Sequence, residues 1–202
     1  SSWSAWPLDE PAVDPARWVL FHPDQYSSRD FPFEPLTRES LTRWCCCREA
    51  IFGDPAWVPE ELIYLVPRPG ECQQHAFGFS TGLSCGRIGD PILLRGAQEV
   101  IERDALVGGW WGVYSVEEWP TKSVREQLGE EIWRRVDRPN LRYRFYHIRS
   151  PFSSHVTLVS ASGLDHEGWV FSVGSACRET RRASWKKSLL EAIQGRHCVR
   201  RL

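Results

Sequence analysis

Glu99 and Glu102 stand three residues apart in the segment Gly96-Ala97-Gln98-Glu99-Val100-Ile101-Glu102-Arg103-Asp104-Ala105, whose apolar positions carry a helical period. Side chains at i and i+3 share one helical face. Two carboxylates so placed repel each other unless a proton or a cation sits between them. Magnesium is a hard cation that takes oxygen ligands and would bridge such a pair to a phosphate. A partial echo occurs near the end of the chain, Leu189-Leu190-Glu191-Ala192-Ile193-Gln194-Gly195-Arg196, with Glu191 and Gln194 again three apart and an arginine close behind. A run of small residues precedes each segment: Ser80-Thr81-Gly82-Leu83-Ser84-Cys85-Gly86 the first, Val173-Gly174-Ser175-Ala176-Cys177 the second. The repeat predicts one composite site built from two similar halves, with Glu191, Gln194 and Arg196 turned toward the same cleft as Glu99.

Plainer readings compete. Glu99 and Glu102 could form a solvated pair with Arg103 as local ion-pair partner. Glu191 and Gln194 could lie on an exposed polar face. Arg196, Arg200 and Arg201 could contact phosphate or simply compensate a helix dipole. For the first pair the location favours a site, because a small-residue turn leading into a helix lets backbone N–H groups approach a phosphate. The common nucleotide loop Gly-x-x-x-x-Gly-Lys-Ser/Thr is absent. His75, His147, His155, His166 and His197 are scattered, with no His-Glu-x-x-His or His-x-x-x-His, and read as structural or exposed. Ser153-Ser154-His155 lacks a Gly-x-Ser-x-Gly companion, which argues against a hydrolase triad.

Composition narrows the class. The chain has 202 residues, 42% hydrophobic and 25% charged, enough for one good core or two small ones. A net charge of −1 gives no field for nucleic acid or an anionic membrane. No apolar run reaches transmembrane length and no secretory signal heads the chain. Seven cysteines, with Cys45, Cys46 and Cys47 consecutive, match neither a disulfide framework nor a zinc knuckle, and predict a reduced, cytoplasmic protein. The lack of methionine and the opening Ser1-Ser2-Trp3 point to a processed or partial product, or to modified residues left unwritten. Eleven tryptophans predict large buried aromatic surfaces.

The elements that must position these groups follow from the hydrophobic pattern. Residues 1–40, rich in Pro, Asp, Ser and aromatics, read as irregular but packed, with one strand at Trp18–Phe21. Residues 41–67 read as two strands about a turn at Gly53-Asp54-Pro55, with apolar runs at Trp57-Val58 and Leu62–Val66. Gly70–His75 is expected to be a loop and Phe77–Cys85 a buried strand. A helix is expected from Asp90 as N-cap and Pro91 as first helical position to about Trp110. Ser123–Val136 predicts a second amphipathic helix. Strands are expected at Leu141–Ile148, His155–Ser160 and Trp169–Cys177, and a closing helix at Arg181–Cys198 with Trp185, Leu189, Leu190 and Ile193 inward. Strands alternating with helices give an α/β class, in a sheet order the pattern does not reveal.

At the two polar segments the chain resembles the YcaO-domain family. The family's middle signature, a small-residue strand end and then a helix closing on Glu-x-x-Glu-Arg-Asp-Ala, stands here as Ser80–Gly86 and Glu99–Ala105. Its later signature, a Val-Gly-small-Ala turn and Leu-x-Glu-Ala-x-Gln-x-Arg, stands as Val173–Cys177 and Leu190–Arg196. Trp57-Val58-Pro59-Glu60-Glu61-Leu62 is similar to a further family segment. The resemblance implies mixed sheets with helices, in two similar halves around an ATP cleft. It implies use of ATP with Mg2+ to cyclise Cys, Ser or Thr of a ribosomally made precursor peptide to thiazoline or oxazoline, ATP phosphorylating the amide oxygen so that it can leave. By match, Glu99 and Glu102 would hold magnesium. Ser80, Thr81, Arg103, Glu191, Gln194 and Arg196 would lie toward the nucleotide. An E1-like, leader-binding protein is the implied partner, and a homodimer is left open.

Three departures qualify the match. The family's early Ser-x-x-Glu-Ala-x-Glu-Arg helix is not found upstream of residue 79. An acidic residue due at the start of the central helix falls at Pro91, beside Asp90. The proline-rich tail of the peptide cyclodehydratases is also missing. Residues 1–202 are therefore expected to be a partial YcaO-like domain, to be completed by a partner chain, or to have a decayed ATP site, and the chain alone is not expected to turn over ATP. The alternatives to cyclodehydration are ATP-dependent peptide thioamidation, in which sulfide attacks the activated amide, and a non-catalytic peptide-binding scaffold.

Overall fold

Apolar and polar residues alternate from Leu141 to Phe145, and there the chain forms the first part of an eight-residue strand. The computed structural model describes residues 1–66, 74–165 and 168–199. The chain divides into two compact units, Ser1–Ser80 and Thr81–Leu202.

The first unit is held by aromatic packing and a hairpin. Strands β1 (Trp44–Arg48) and β2 (Pro55–Pro59) pair antiparallel, setting Cys46 opposite Trp57. The predicted hairpin thus recruits the cysteine triplet as its first strand. Leu62–Val66 is not a strand: a 3-10 turn spans Glu60–Leu62 and Leu65 and Val66 are exposed. Trp18–Phe21 is not a strand either. It follows a 3-10 turn at Pro15–Arg17 capped by Asp14, it leaves Val19 in solvent, and its Phe21 stacks on Phe33 beside the short helix α1 (Pro23–Tyr26). The expected loop at Gly70–His75 lies outside the described residues except at Gln74 and His75. His75 is fully buried, its backbone N–H and Nδ1 both on the Glu61 carboxylate at 2.8 and 2.6 Å.

The second unit carries the polar segments. Helix α2 (Ile92–Trp110) ends where predicted, but its N-cap is Pro91 rather than Asp90. The Asp90 carboxylate turns back to accept the Arg87 backbone N–H at 2.6 Å, so it caps the preceding turn. Strands β3 (Val116–Trp119), β4 (Leu141–Ile148), β5 (Val156–Asp165) and β6 (Gly168–Cys177) form an antiparallel sheet in that order. β3 was not predicted, being only four residues long. The helix expected over Ser123–Val136 is two, α3 (Thr121–Leu128) and α4 (Glu130–Val136), broken at Gly129 with φ 85°, a conformation open to glycine. Helix α5 (Arg181–Val199) closes the unit. Phe77–Cys85 is not a buried strand. Phe77, Phe79 and Leu83 are exposed, and a turn falls at Thr81-Gly82.

One face of the sheet is covered by α3, α4 and α5. Its core joins Phe145, Val159 and Ala161 to Val124, Trp133, Trp185 and Leu189. On α5 the buried positions are Ser184, Trp185, Ser188, Leu189 and Ala192, while Leu190 faces outward, contrary to expectation. At one end of the opposite face, α2 buries Ala105 against Ile148, Val156 and Cys177. Gly174 lets α5 lie directly on β6: a Cβ there would fall on the Ser188 carbonyl and the Ala192 nitrogen. Gly174→Ala should therefore cost about 1–3 kcal/mol or more of stability by overpacking, read as a lowered urea midpoint. Gly195→Ala, on the same helix α5, where a Cβ would meet Ser172 and Val173 only at an ordinary contact distance of 3.5 Å and alanine favours the helix, should shift that midpoint less.

Candidate active site

Glu102 is 6% exposed, on the face of α2 that also buries Gln98 and Ala105. A carboxylate so buried needs donors. It has two from β6: the Ser175 hydroxyl donates to Oε1 at 2.5 Å and the Cys177 backbone N–H to Oε2 at 3.2 Å. The Ser175 backbone N–H donates to Glu191 Oε2 of α5 at 3.3 Å. One serine thus links the carboxylates of the two polar segments. Glu191 also pairs with Lys187, one helical turn earlier. The Lys187 ammonium is held below the usual lysine range by burial and by the charge of Arg178, opposed by Glu102 and Glu99. Glu99, half-buried on α2, therefore acts on the same ammonium.

Three carboxylates against the Lys187 ammonium and the Arg178 guanidinium leave this end of the sheet with an excess of negative charge. Among the described residues, no set of three or more His, Cys, Asp or Glu is disposed to enclose a metal ion. Magnesium does not require such a cage: it commonly takes one or two carboxylates and completes its shell with phosphate and water. Glu99 and Glu102, three apart on α2, could supply the one or two carboxylates such an ion takes. Nearby, the Arg95 guanidinium bonds Gln98 at 2.8 Å and Glu179 at 2.9 Å, tying the first turns of α2 to the loop before α5.

Of the residues singled out in the sequence, Glu99, Glu102 and Glu191 are brought together. Ser80 and Thr81 are exposed at the division between the two units. Arg103 and Gln194 are exposed on their helices. Arg196 lies where its charge acts on Tyr143, and its Nη2 stands 3.3 Å from His197 Nε2. Its buried Nε has no hydrogen-bond partner among the described residues. Arg200, Arg201 and His166 lie outside the described residues. His147 bonds the Ser154 carbonyl, and burial pushes its imidazole below the usual range. Sequence reasoning missed Ser175 and Lys187. Lys187 and Glu191 at i, i+4 was a readable signal. Ser175 was not, because its role depends on pairing across 73 residues.

The model of the family described as YcaO cyclodehydratase, ATP- and Mg2+-binding, matches residues 1–201, and the chain belongs to that family. No curated protein matches it. Among solved structures, YcaO from Methanopyrus kandleri bound with AMPPCP and Mg2+ aligns with a TM-score of 0.60 at 20% identity, over 96% of this chain and 46% of the other. A heterocyclase in complex with substrate and cofactor aligns with a TM-score of 0.69 at 15% identity, over 96% and 27%. The heterocyclase TruD aligns with a TM-score of 0.64 at 14% identity, over 93% and 28%. This chain thus spans less than half the length of each of these structures, and at such identities the likeness is one of fold.

If Ser175 is the link between the segments, Ser175→Ala should destabilise the chain by about 1–3 kcal/mol, the cost of leaving a buried acceptor unpaired. In a Glu102→Gln background the same change should cost less, since the buried charge is gone. Urea unfolding of the four proteins in that cycle gives the coupling.

Proposed function

We propose that the chain contributes the carboxylate side of an ATP- and Mg2+-dependent site. The reaction we assign to it is cyclodehydration of Cys, Ser or Thr in a ribosomally made precursor peptide to thiazoline or oxazoline. The observation that supports this reading most directly is the buried Glu102, fixed by Ser175 and Cys177 beside Glu99 and Glu191. ATP, when bound, supplies the phosphoryl group that makes an amide oxygen a leaving group. The chain's own part is electrostatic and positional. Glu102 and Glu99 would hold magnesium against the phosphates. Glu191, steered by Lys187 and Ser175, would add charge from the other segment. Ser80, Thr81, Arg103, Gln194 and Arg196 remain proposed nucleotide-side residues on the strength of the family motifs.

The partners that go with this reading are the precursor peptide and an E1-like, leader-binding protein, with homodimerisation open and a cytoplasmic setting. No helix among the described residues is long and apolar enough to cross a membrane.

The test combines binding and mass. Glu102→Gln should weaken Mg2+-dependent ATP binding by about tenfold or more in calorimetry, in line with loss of a charged ligand. Intact mass of a Cys- or Ser-containing precursor, incubated with ATP, Mg2+ and the complete protein with its partner, should show loss of water. Exchange of oxygen for sulfur would instead assign thioamidation. Unchanged nucleotide affinity in the variant would leave a peptide-binding scaffold.

A further inference from the structure

Among the described residues β6 is an edge strand, paired only with β5. In an antiparallel strand the N–H and C=O of one residue point to the same side, and successive residues alternate sides. The backbone N–H groups of Ser175 and Cys177 do not enter the ladder with β5; they donate to Glu191 and Glu102. They therefore face the open edge. The register with β5 runs unbroken from Gly168 to Cys177, so the N–H and C=O groups of Trp169, Phe171 and Val173 point to that side too, the Val173 carbonyl lying beside Gly195 of α5. There the two carboxylates give no cover. The same three residues are 70%, 57% and 52% exposed, on the sheet face away from α5, while Val170 and Ser172 between them are buried.

The result is a half-capped edge. At one end its donors are occupied by the carboxylates of the proposed magnesium site. For the rest of its length it offers a template for strand pairing flanked by apolar side chains, a combination that folded proteins usually blunt with charge or proline. From Trp169 to Ser175 it runs about 20 Å at the rise of an extended strand.

We propose that an extended segment of the substrate peptide pairs with the Trp169–Val173 edge of β6. It sets apolar side chains at alternate positions against Trp169, Phe171 and Val173, and the edge leads its residue to be modified toward Glu102 and Glu191. This rests on the proposed function for the identity of the occupant. Main-chain pairing gives affinity independent of sequence, and the exposed face selects apolar side chains at every second position. A second copy of the chain has a poorer claim, because only three outward-facing residues remain once Ser175 and Cys177 are capped.

The probe is a short, acetylated and amidated peptide of alternating valine and threonine with one cysteine, fluorescently labelled and titrated with the chain by polarisation. Phe171→Pro removes an outward N–H without touching the ladder with β5, a position where an edge strand tolerates proline. It should weaken binding by about tenfold, the weight of one lost main-chain bond and its obstructed neighbour, with an unchanged far-UV spectrum. Phe171→Leu, which keeps the N–H, should retain most of the affinity. N-methylation of alternate amides in the probe should abolish binding to the unaltered chain, a readout that needs no variant to fold. Equal binding of the methylated probe, no binding of the parent probe, or probe-independent dimerisation of the chain through this edge would each overturn the proposal. Mg2+-ATP binding by the unaltered chain reports separately on the proposed function and survives any of those outcomes.

Discussion

The hydrogen bond from the Ser175 hydroxyl to the Glu102 carboxylate is the contact on which the second unit's polar end depends. A charged carboxylate at 6% exposure is expensive unless donors replace its water. The donors come from β6, so α2 reaches a satisfied state only when it lies across the end of the sheet. The same serine uses its backbone N–H to hold Glu191, so α5 is referred to the same point. Gly174, next in the chain, permits the close approach of α5 to the strand that this requires. Three elements distant in sequence are thus fixed by one residue and its neighbour. Each contributes a carboxylate or a donor to a place with more negative than positive charge.

Such a concentration of carboxylates works against stability in an empty protein. Lys187 offsets part of it and is itself pushed toward its neutral form by burial and Arg178. Sites with this balance are commonly functional, because a divalent cation supplies the missing charge when it arrives with its phosphates. The family to which the chain belongs is one described as ATP- and Mg2+-binding, and the proposed site would give that description a physical basis.

Legibility in the sequence followed the period of burial. β4, with alternating burial, β6, with its apolar run, and α2 and α5, with long helical patterns, were readable to within a residue or two. Runs of small or apolar residues without a period misled. Phe77–Cys85 and Trp18–Phe21 have strand-like composition, but neither pairs, and their apolar side chains are exposed or stacked on other aromatics. The cysteine triplet, which matched neither a disulfide framework nor a zinc knuckle, lies in the first strand of a hairpin whose partner Trp57 packs on Trp6 and donates to Glu10. For the site, the i, i+3 spacing marked Glu99, Glu102 and Glu191. It could not show that Ser175 joins them, since a side chain bonding across 73 residues leaves no local pattern.

The central proposal is that Glu99 or Glu102 holds the metal of a metal–phosphate site, with Glu191 beside it through Ser175. The most direct measurement is a crystal structure of the chain soaked with Mn2+ and a non-hydrolysable ATP analogue, with the metal located by its anomalous signal. The account predicts a metal peak within bonding distance, about 2.1 Å for the magnesium it replaces, of a Glu102 or Glu99 oxygen. The phosphates should stand on the same side as Glu191. A metal peak on other residues, with Glu102 still bonded only to Ser175 and Cys177, would contradict it.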